Sequence, residues 1–225
     1  MSRLVSQRKV LLAGATGLVG GEILQALLVD PAVAEVHVLS RRAIDVTHSK
    51  LQLHIVDFRQ LPALPQVDEV YLALGTTIRV AGSEAAFRAV DFDANLAVAT
   101  AAITSGARRV ALVSAADANA RSSVFYLSVK GALEDVLAGM NLSALVIARP
   151  SLLLGNRDAL KQPPRLGEKI STPILKLLAP VLPKRYRPIP ARAVARSLLA
   201  TLPTAHGTVM LHFDDLIRIG GPARS

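Results

Sequence analysis

Cysteine is absent from the chain, which excludes disulfides, thiolate catalysis and cysteine-ligated zinc. The histidines, at positions 37, 48, 54, 206 and 212, fall in neither HxxxH nor HExxH spacing, so no metal site is expected. No window of about 18 residues is free of both charge and proline, so no membrane span is expected. "MSRLVSQRKVLLAG" lacks the apolar core of a secretory leader, and its first apolar run leads into a glycine-rich turn. Together these absences give a cytoplasmic expectation. Acidic residues are scarce, 17 Asp and Glu against 26 Lys and Arg, for a formal charge of +9. The imbalance is concentrated from Ser151 onward, where 12 basic residues face 4 acidic ones. That region carries no helix-turn-helix, zinc-finger or aromatic-interleaved basic pattern, so nucleic acid is not expected. A solvated basic face is the plain reading and an anionic substrate or partner the sharper one.

What is present is a globular composition, 51% apolar over 225 residues, enough to bury one substantial core. No internal repeat or low-complexity tract interrupts it. The first two-thirds alternates short apolar strand-like runs with helical ones, the pattern of a parallel sheet covered on both faces. Strands are expected at Lys9–Ala13, Glu35–Ser40, Leu53–Val56, Glu69–Leu74, Arg109–Ser114 and Ser143–Arg149. Helices are expected over Gly17–Val29, Ser83–Ser105, Ser123–Ala138, Glu168–Ala179 and Ala191–Leu202, with no helix between the second, third and fourth strands. After Pro150 the chain turns proline-rich. The expectation is a single Rossmann-type α/β domain over residues 1–225, a doubly wound parallel sheet, with 151–206 forming a small loop-and-helix subregion on the substrate side.

Directly after the first strand comes "GATGLVG", Gly14 to Gly20. A dinucleotide site needs a tight turn, then bare backbone at a helix N-terminus to meet the pyrophosphate, then a small residue where helix packs on strand. Gly14, Gly17 and Gly20 take those roles, and Thr16, Leu18 and Val19 complete the cradle. An NAD site would place an acid at the end of the second strand for the ribose 2′-hydroxyl. Here that place holds Ser40-Arg41-Arg42, and guanidinium groups suit a 2′-phosphate, so NADP(H) is favoured over NAD(H). Asp57 ends the third strand, where it either accepts from the adenine amino group, with Phe58 beside the ring, or caps a turn.

Ser114 ends the fifth strand, and "YLSVK" places Lys130 one helical turn after Tyr126. Residues i and i+4 share a helix face. The phenol and ammonium can therefore both face a nicotinamide over the sheet edge, where the cation stabilises the phenolate form needed in acid/base work. Ser114 would hold a substrate carbonyl.

With these motifs the chain resembles the short-chain dehydrogenase/reductases in their atypical NAD(P)-binding branch. "LALGTT", "VSAADANARSSVFYLSVKGALE" and "RPSLLLGNR" resemble, more narrowly, the Tat-interacting-protein-like oxidoreductases. The resemblance implies that Leu74, Gly75, Thr76 and Thr77 line the cofactor, that Pro150 and Ser151 approach its carboxamide, and that Lys130 holds the ribose hydroxyls. It implies an NADP(H)-dependent oxidoreductase acting on a small carbonyl or alcohol, with Tyr126 as acid/base and Ser114 as carbonyl anchor. The alternative is an NADPH-binding regulatory or redox-sensing protein with little turnover. A nucleotide-sugar epimerase shares the motifs, but about 75 residues after Pro150 are few for its substrate domain. The family more often has a second Ser or Thr after the strand-end serine, where this chain has Ala115-Ala116, which keeps Ser122 and Ser123 in play. Asn95 stands either as a proton relay or as a helix-interior residue bonded to backbone. Substrate identity and oligomeric state are open at this level; Arg79, Arg121, Arg157, Lys161 and Arg165 hint at an anionic substrate.

Overall fold

A computed structural model describes residues 7–154 and 187–221. Seven strands form one parallel sheet: β1 (Arg8–Ala13), β2 (Val33–Ser40), β3 (Leu51–Ile55), β4 (Glu69–Leu72), β5 (Arg109–Val113), β6 (Ala144–Ala148) and, later in the chain, β9 (Gly207–Leu211). Their order across the sheet is β3-β2-β1-β4-β5-β6-β9. A two-residue pair, β7 (Leu153–Leu154) with β8 (Ile189–Pro190), stands apart. The helices are α1 (Leu18–Val29), α2 (Ile78–Ala81), α3 (Glu84–Arg88), α4 (Asn95–Thr104), α5 (Phe125–Ala138), α6 (Ala191–Thr201) and α7 (Phe213–Gly220). The doubly wound expectation holds. Chain order reverses between β1 and β4, the place where such sheets open a crevice at their carboxyl edge.

Strand residues alternate between two cores. Val10 and Leu12 pack with α1 and α6 on one face, Leu11 and Ala13 with α4 and α5 on the other. The central strands are buried on both faces, which is why their sequences read as continuous apolar runs. The six expected strands all form, with ends moved by one or two residues. The seventh, β9, was not expected: it pairs only with β6, and Gly207 and Thr208 at its start are exposed, so its apolar signal is diluted. The helix expected over Glu168–Ala179 lies outside the described residues. The single helix expected over Ser83–Ser105 is instead α3, a wide π-turn over Ala89–Ala94, and α4. Asn95 Nδ2 reaches the carbonyls of Val90 and Asp91 inside that turn, so a side chain occupies part of the helical ladder and accounts for the break.

At the amino edge of the sheet, Arg8 is bonded to Glu69 through Nη1, at 3.0 and 2.8 Å, and to Asp30 through Nη2 at 2.8 Å. Tyr71 donates its hydroxyl to Glu69 Oε2 at 3.3 Å, and burial, then the Glu69 charge, push its phenol well above the ordinary range.

Near the β3 edge, His37 Nδ1 lies 3.1 Å from His54 Nε2, and His37 Nε2 lies 3.0 Å from Glu35 Oε2, itself paired with Lys9. Burial lowers His37 below the ordinary imidazole value, outweighing the hydrogen bond it donates to Glu35, which raises it. The unfolded chain therefore binds this proton at higher pH than the fold does. Stability from His37 is intact above the unfolded imidazole value, near 6.5, and is lost as pH falls through it. The unfolding midpoint of His37→Gln is thus expected to fall less between pH 7 and pH 5 than that of the parent, in paired thermal melts (about the window set by an imidazole). Equal slopes would show that His37 does not lose stability through its proton in this range.

Candidate active site

The glycine turn is built as a cradle. Gly14 has φ +98°, and a Cβ there would lie 2.3 Å from Ala73 O on the neighbouring β4 side. A Cβ on Gly20 would lie 2.0 Å from Gly14 O, so α1 packs on the turn only because that residue is bare. Gly17 is the N-cap of α1 and supplies no side-chain cap, leaving the first amides of the helix for an anion. Thr16 is exposed at the crevice, Leu18 half-buried, and Val19 turned into the core, so Val19 offers the cradle only its backbone. These features fit a pyrophosphate lying across the switch point.

At the far end of that crevice, Ser40 closes β2, and its Oγ accepts the Arg42 N–H at 3.3 Å. The side chains of Arg41 and Arg42 project into solvent. Asp57 Oδ1 accepts from Arg59 N at 3.0 Å, and Asp57 Oδ2 lies 3.2 Å from Arg59 Nη2. The Arg59 backbone amide and then its side chain hold the Asp57 carboxyl below its usual range. That is the turn-capping geometry of the two roles weighed for Asp57, and its carboxylate is committed to Arg59. Phe58 packs against the second core.

The chemical end gathers around β5 and α5. Ser114 follows β5, its N–H bonded to Ala148 O at 2.8 Å, and it is only 5% exposed with no hydrogen-bond partner for its Oγ. Ser122 Oγ instead accepts from Val124 N at 3.1 Å in the turn before α5, and Ser123 is exposed. Of the three serines weighed from sequence, Ser114 alone combines burial with an unmet polar atom. Tyr126 is the second residue of α5, its ring 5.4 Å from that of Phe87. A Cβ on Gly131 would meet Ala120 N at 2.2 Å, so the glycine after Lys130 lets the Ala115–Ser123 segment lie directly on α5.

Lys130 is almost fully buried, and its Nζ lies 2.7 Å from Asp91 Oδ1. Asp91 Oδ2 accepts the Thr76 N–H at 2.8 Å, and Asn95 Nδ2 reaches Leu74 O at 3.2 Å. The π-turn and the first residue of α4 are thereby tied to Thr76 and Leu74 of the loop after β4. Between them Gly75 lies beside the pair, where a Cβ would stand in ordinary contact, 3.4 Å from Asp91 Oδ1 and 3.8 Å from Lys130 Nζ. Asn95 thus has the backbone-bonded geometry of the two roles weighed for it. Asp91 was missed from sequence; the available signal was a carboxylate inside the apolar helical run "AVDFDANLAVATAAI", four places before Asn95. One turn beyond Lys130, Glu134 pairs with Arg149, whose Nε lies 3.1 Å from Oε1. This anchors α5 to the end of β6 beside buried Pro150, while Ser151 donates to Arg187 O.

Among the described residues, no helix is long and apolar enough to cross a membrane and no cluster of three potential ligands could hold a metal. Residues 10–124 match the NAD dependent epimerase/dehydratase family. The chain is 36% identical over 171 residues to "Protein FMP52-1, mitochondrial" of Scheffersomyces stipitis, covering 73% of this chain and 74% of that protein. It is 35% identical to "Protein FMP52, mitochondrial" of Candida albicans over 72% of each. Among solved structures it resembles MoeE5 in complex with UDP-glucose and NAD, at TM-score 0.67 and 15% identity over 93% of this chain and 80% of that one. A short-chain dehydrogenase/reductase family oxidoreductase from Burkholderia thailandensis has TM-score 0.67 at 14% identity, covering 93% of both chains. At such identities the structures speak to fold alone. The mitochondrial relatives overturn the cytoplasmic expectation: lack of an apolar secretory leader says nothing about import into an organelle. By this match and these relatives, the chain belongs to the NAD dependent epimerase/dehydratase family and is a relative of the FMP52 proteins.

Proposed function

We propose that the protein is an NADP(H)-dependent oxidoreductase interconverting a small carbonyl and its alcohol, of the Tat-interacting-protein-like kind within its family. The observation that carries this reading is Ser114: a buried hydroxyl without a partner at the strand end, on the crevice that the glycine cradle opens. An orphaned buried donor costs about 1–3 kcal/mol unless a ligand meets it, and a substrate oxygen is the natural acceptor.

A bound nicotinamide cofactor would supply hydride chemistry at the carbonyl carbon. Ser114 holds the carbonyl oxygen and Tyr126 Oη gives that oxygen its proton in reduction, or removes it in oxidation. Lys130 binds the ribose hydroxyls and stabilises the phenolate that Tyr126 becomes. Arg41 and Arg42 grip the adenosine 2′-phosphate, with Ser40 fixing the turn through the Arg42 amide. Ile78, Val80, Val124 and Leu152, exposed apolar side chains on the segments after β4, β5 and β6, favour a substrate with an apolar body.

The experiment is a cofactor titration followed by turnover. Replacing Arg41 and Arg42 together by Ala is expected to weaken NADPH binding by about tenfold or more while leaving NADH within about threefold, because only the former carries the phosphate. Equal loss for both cofactors would refute the NADP assignment. NADPH oxidation is then followed across aldehydes, ketones and quinones; tight binding with no turnover on any of them would replace the enzyme by a cofactor sensor.

A further inference from the structure

Lys130 is a buried cation, and its only charge partner among the described residues is Asp91, which is itself fully buried. Isolated burial of either charge would be costly, so each is there because of the other. Nζ stands 2.7 Å from Oδ1, and among the described residues no other side chain or carbonyl takes a hydrogen bond from it. An ammonium carries three N–H donors. One carboxylate oxygen does not use all of them.

Asp91 is itself held from the other side. Its Oδ2 takes the Thr76 N–H, and the π-turn that carries it is anchored by Asn95 to Leu74 O, Val90 O and Asp91 O. In a regular helix the added residue of the π-turn would be missing and the carboxylate would face another direction.

We propose that Asp91 is a positioning residue for cofactor binding. Fixed on the Thr76 amide, it holds the Lys130 ammonium in place by charge while leaving the ammonium's remaining N–H bonds to the ribose hydroxyls of the nicotinamide half. The proposal rests on Lys130 being the ribose ligand. It adds that the loop after β4, the π-turn and α5 act as one unit whose centre is a carboxylate.

The test is a double-mutant cycle on cofactor affinity, using NADPH or NADH, whichever the parent binds more tightly. Asp91→Asn keeps the size of the side chain and an acceptor for Thr76 but removes the charge. It is expected to weaken the dinucleotide by about tenfold or more, and Lys130→Met by a similar factor. The double variant is expected to bind no more weakly than Lys130→Met alone. The matching fragment without the nicotinamide half, adenosine 2′,5′-bisphosphate or ADP, is expected to bind every variant as it binds the parent; a purely structural role would weaken it too. Dinucleotide affinity unchanged in Asp91→Asn, an Asp91 effect undiminished when Lys130 is already gone, or parallel loss of the fragment would each overturn the proposal. Asp91→Glu, which keeps the charge but moves it outward, is the second variant if the amide does not fold: it too must lose dinucleotide and retain fragment. A parent that binds neither dinucleotide overturns the proposed function and this proposal together, an outcome distinct from a binding parent whose Asp91 variants bind equally well.

Discussion

Tyr126→Phe is expected to lower kcat by about 10²–10⁴-fold on any carbonyl that the parent reduces, while NADPH affinity stays within about threefold. The reason lies in what the substitution leaves alone. The Tyr126 ring packs on Phe87 with centroids 5.4 Å apart, and Phe preserves that contact. Among the described residues the hydroxyl makes no hydrogen bond, so its removal strands no buried partner and the melting temperature should hold. Lys130 remains paired with Asp91, which does not involve the phenol. A loss in kcat without loss of fold or cofactor then isolates proton transfer at Oη. Full turnover in the variant would remove Tyr126 from the chemistry and leave Ser114 as the candidate proton carrier. Ser114→Ala measured alongside separates the roles: losing the carbonyl anchor should raise KM as well as lower kcat, because the hydroxyl binds the substrate oxygen before and during transfer.

Much of this arrangement was legible because it is local. The turn from Gly14 to Gly20 announces itself by spacing, and the structure gives each glycine a steric reason: positive φ at Gly14, close backbone at Gly20, an uncapped helix start at Gly17. Ser114 and Lys130 were readable because a strand end and a helix face are periodic features. What escaped were features that depend on departures from periodicity or on distant partners. Asp91 faces Lys130 only because the helix widens over Ala89–Ala94, and a 3.6-residue period assigns a continuous helix there. β9 escaped because a short edge strand buries too little to look apolar. Glu134 and Arg149 sit 15 residues apart, on a helix and beyond the strand that follows it, with no spacing rule to connect them. The compartment was not legible because compartment is not a property of the core.

The pair at the opposite edge of the sheet leads to the largest effect expected on stability. Glu69 begins β4 with a side chain 2% exposed, and Arg8 begins β1 with both Glu69 oxygens on its Nη1. Arg8→Leu keeps apolar bulk beside β4 but leaves the carboxylate without a cation, which costs about 3–5 kcal/mol for a buried pair broken on one side. For a domain of this size that is a fall of about 6–20 °C in Tm. The loss of Asp30 from the same guanidinium adds little, because that carboxylate is one-third exposed, at 33%, and water takes over its solvation. The distinguishing measurement is the rescue. Glu69→Gln alone also unbalances the pair, since Arg8 then keeps only Asp30, but Arg8→Leu with Glu69→Gln removes both charges and leaves an amide that Tyr71 can still meet through its hydroxyl. The double variant is therefore expected to be more stable than Arg8→Leu alone. If instead the two single losses simply add, the buried charge is not what holds β1 against β4, and the cost must come from the aliphatic stem of Arg8.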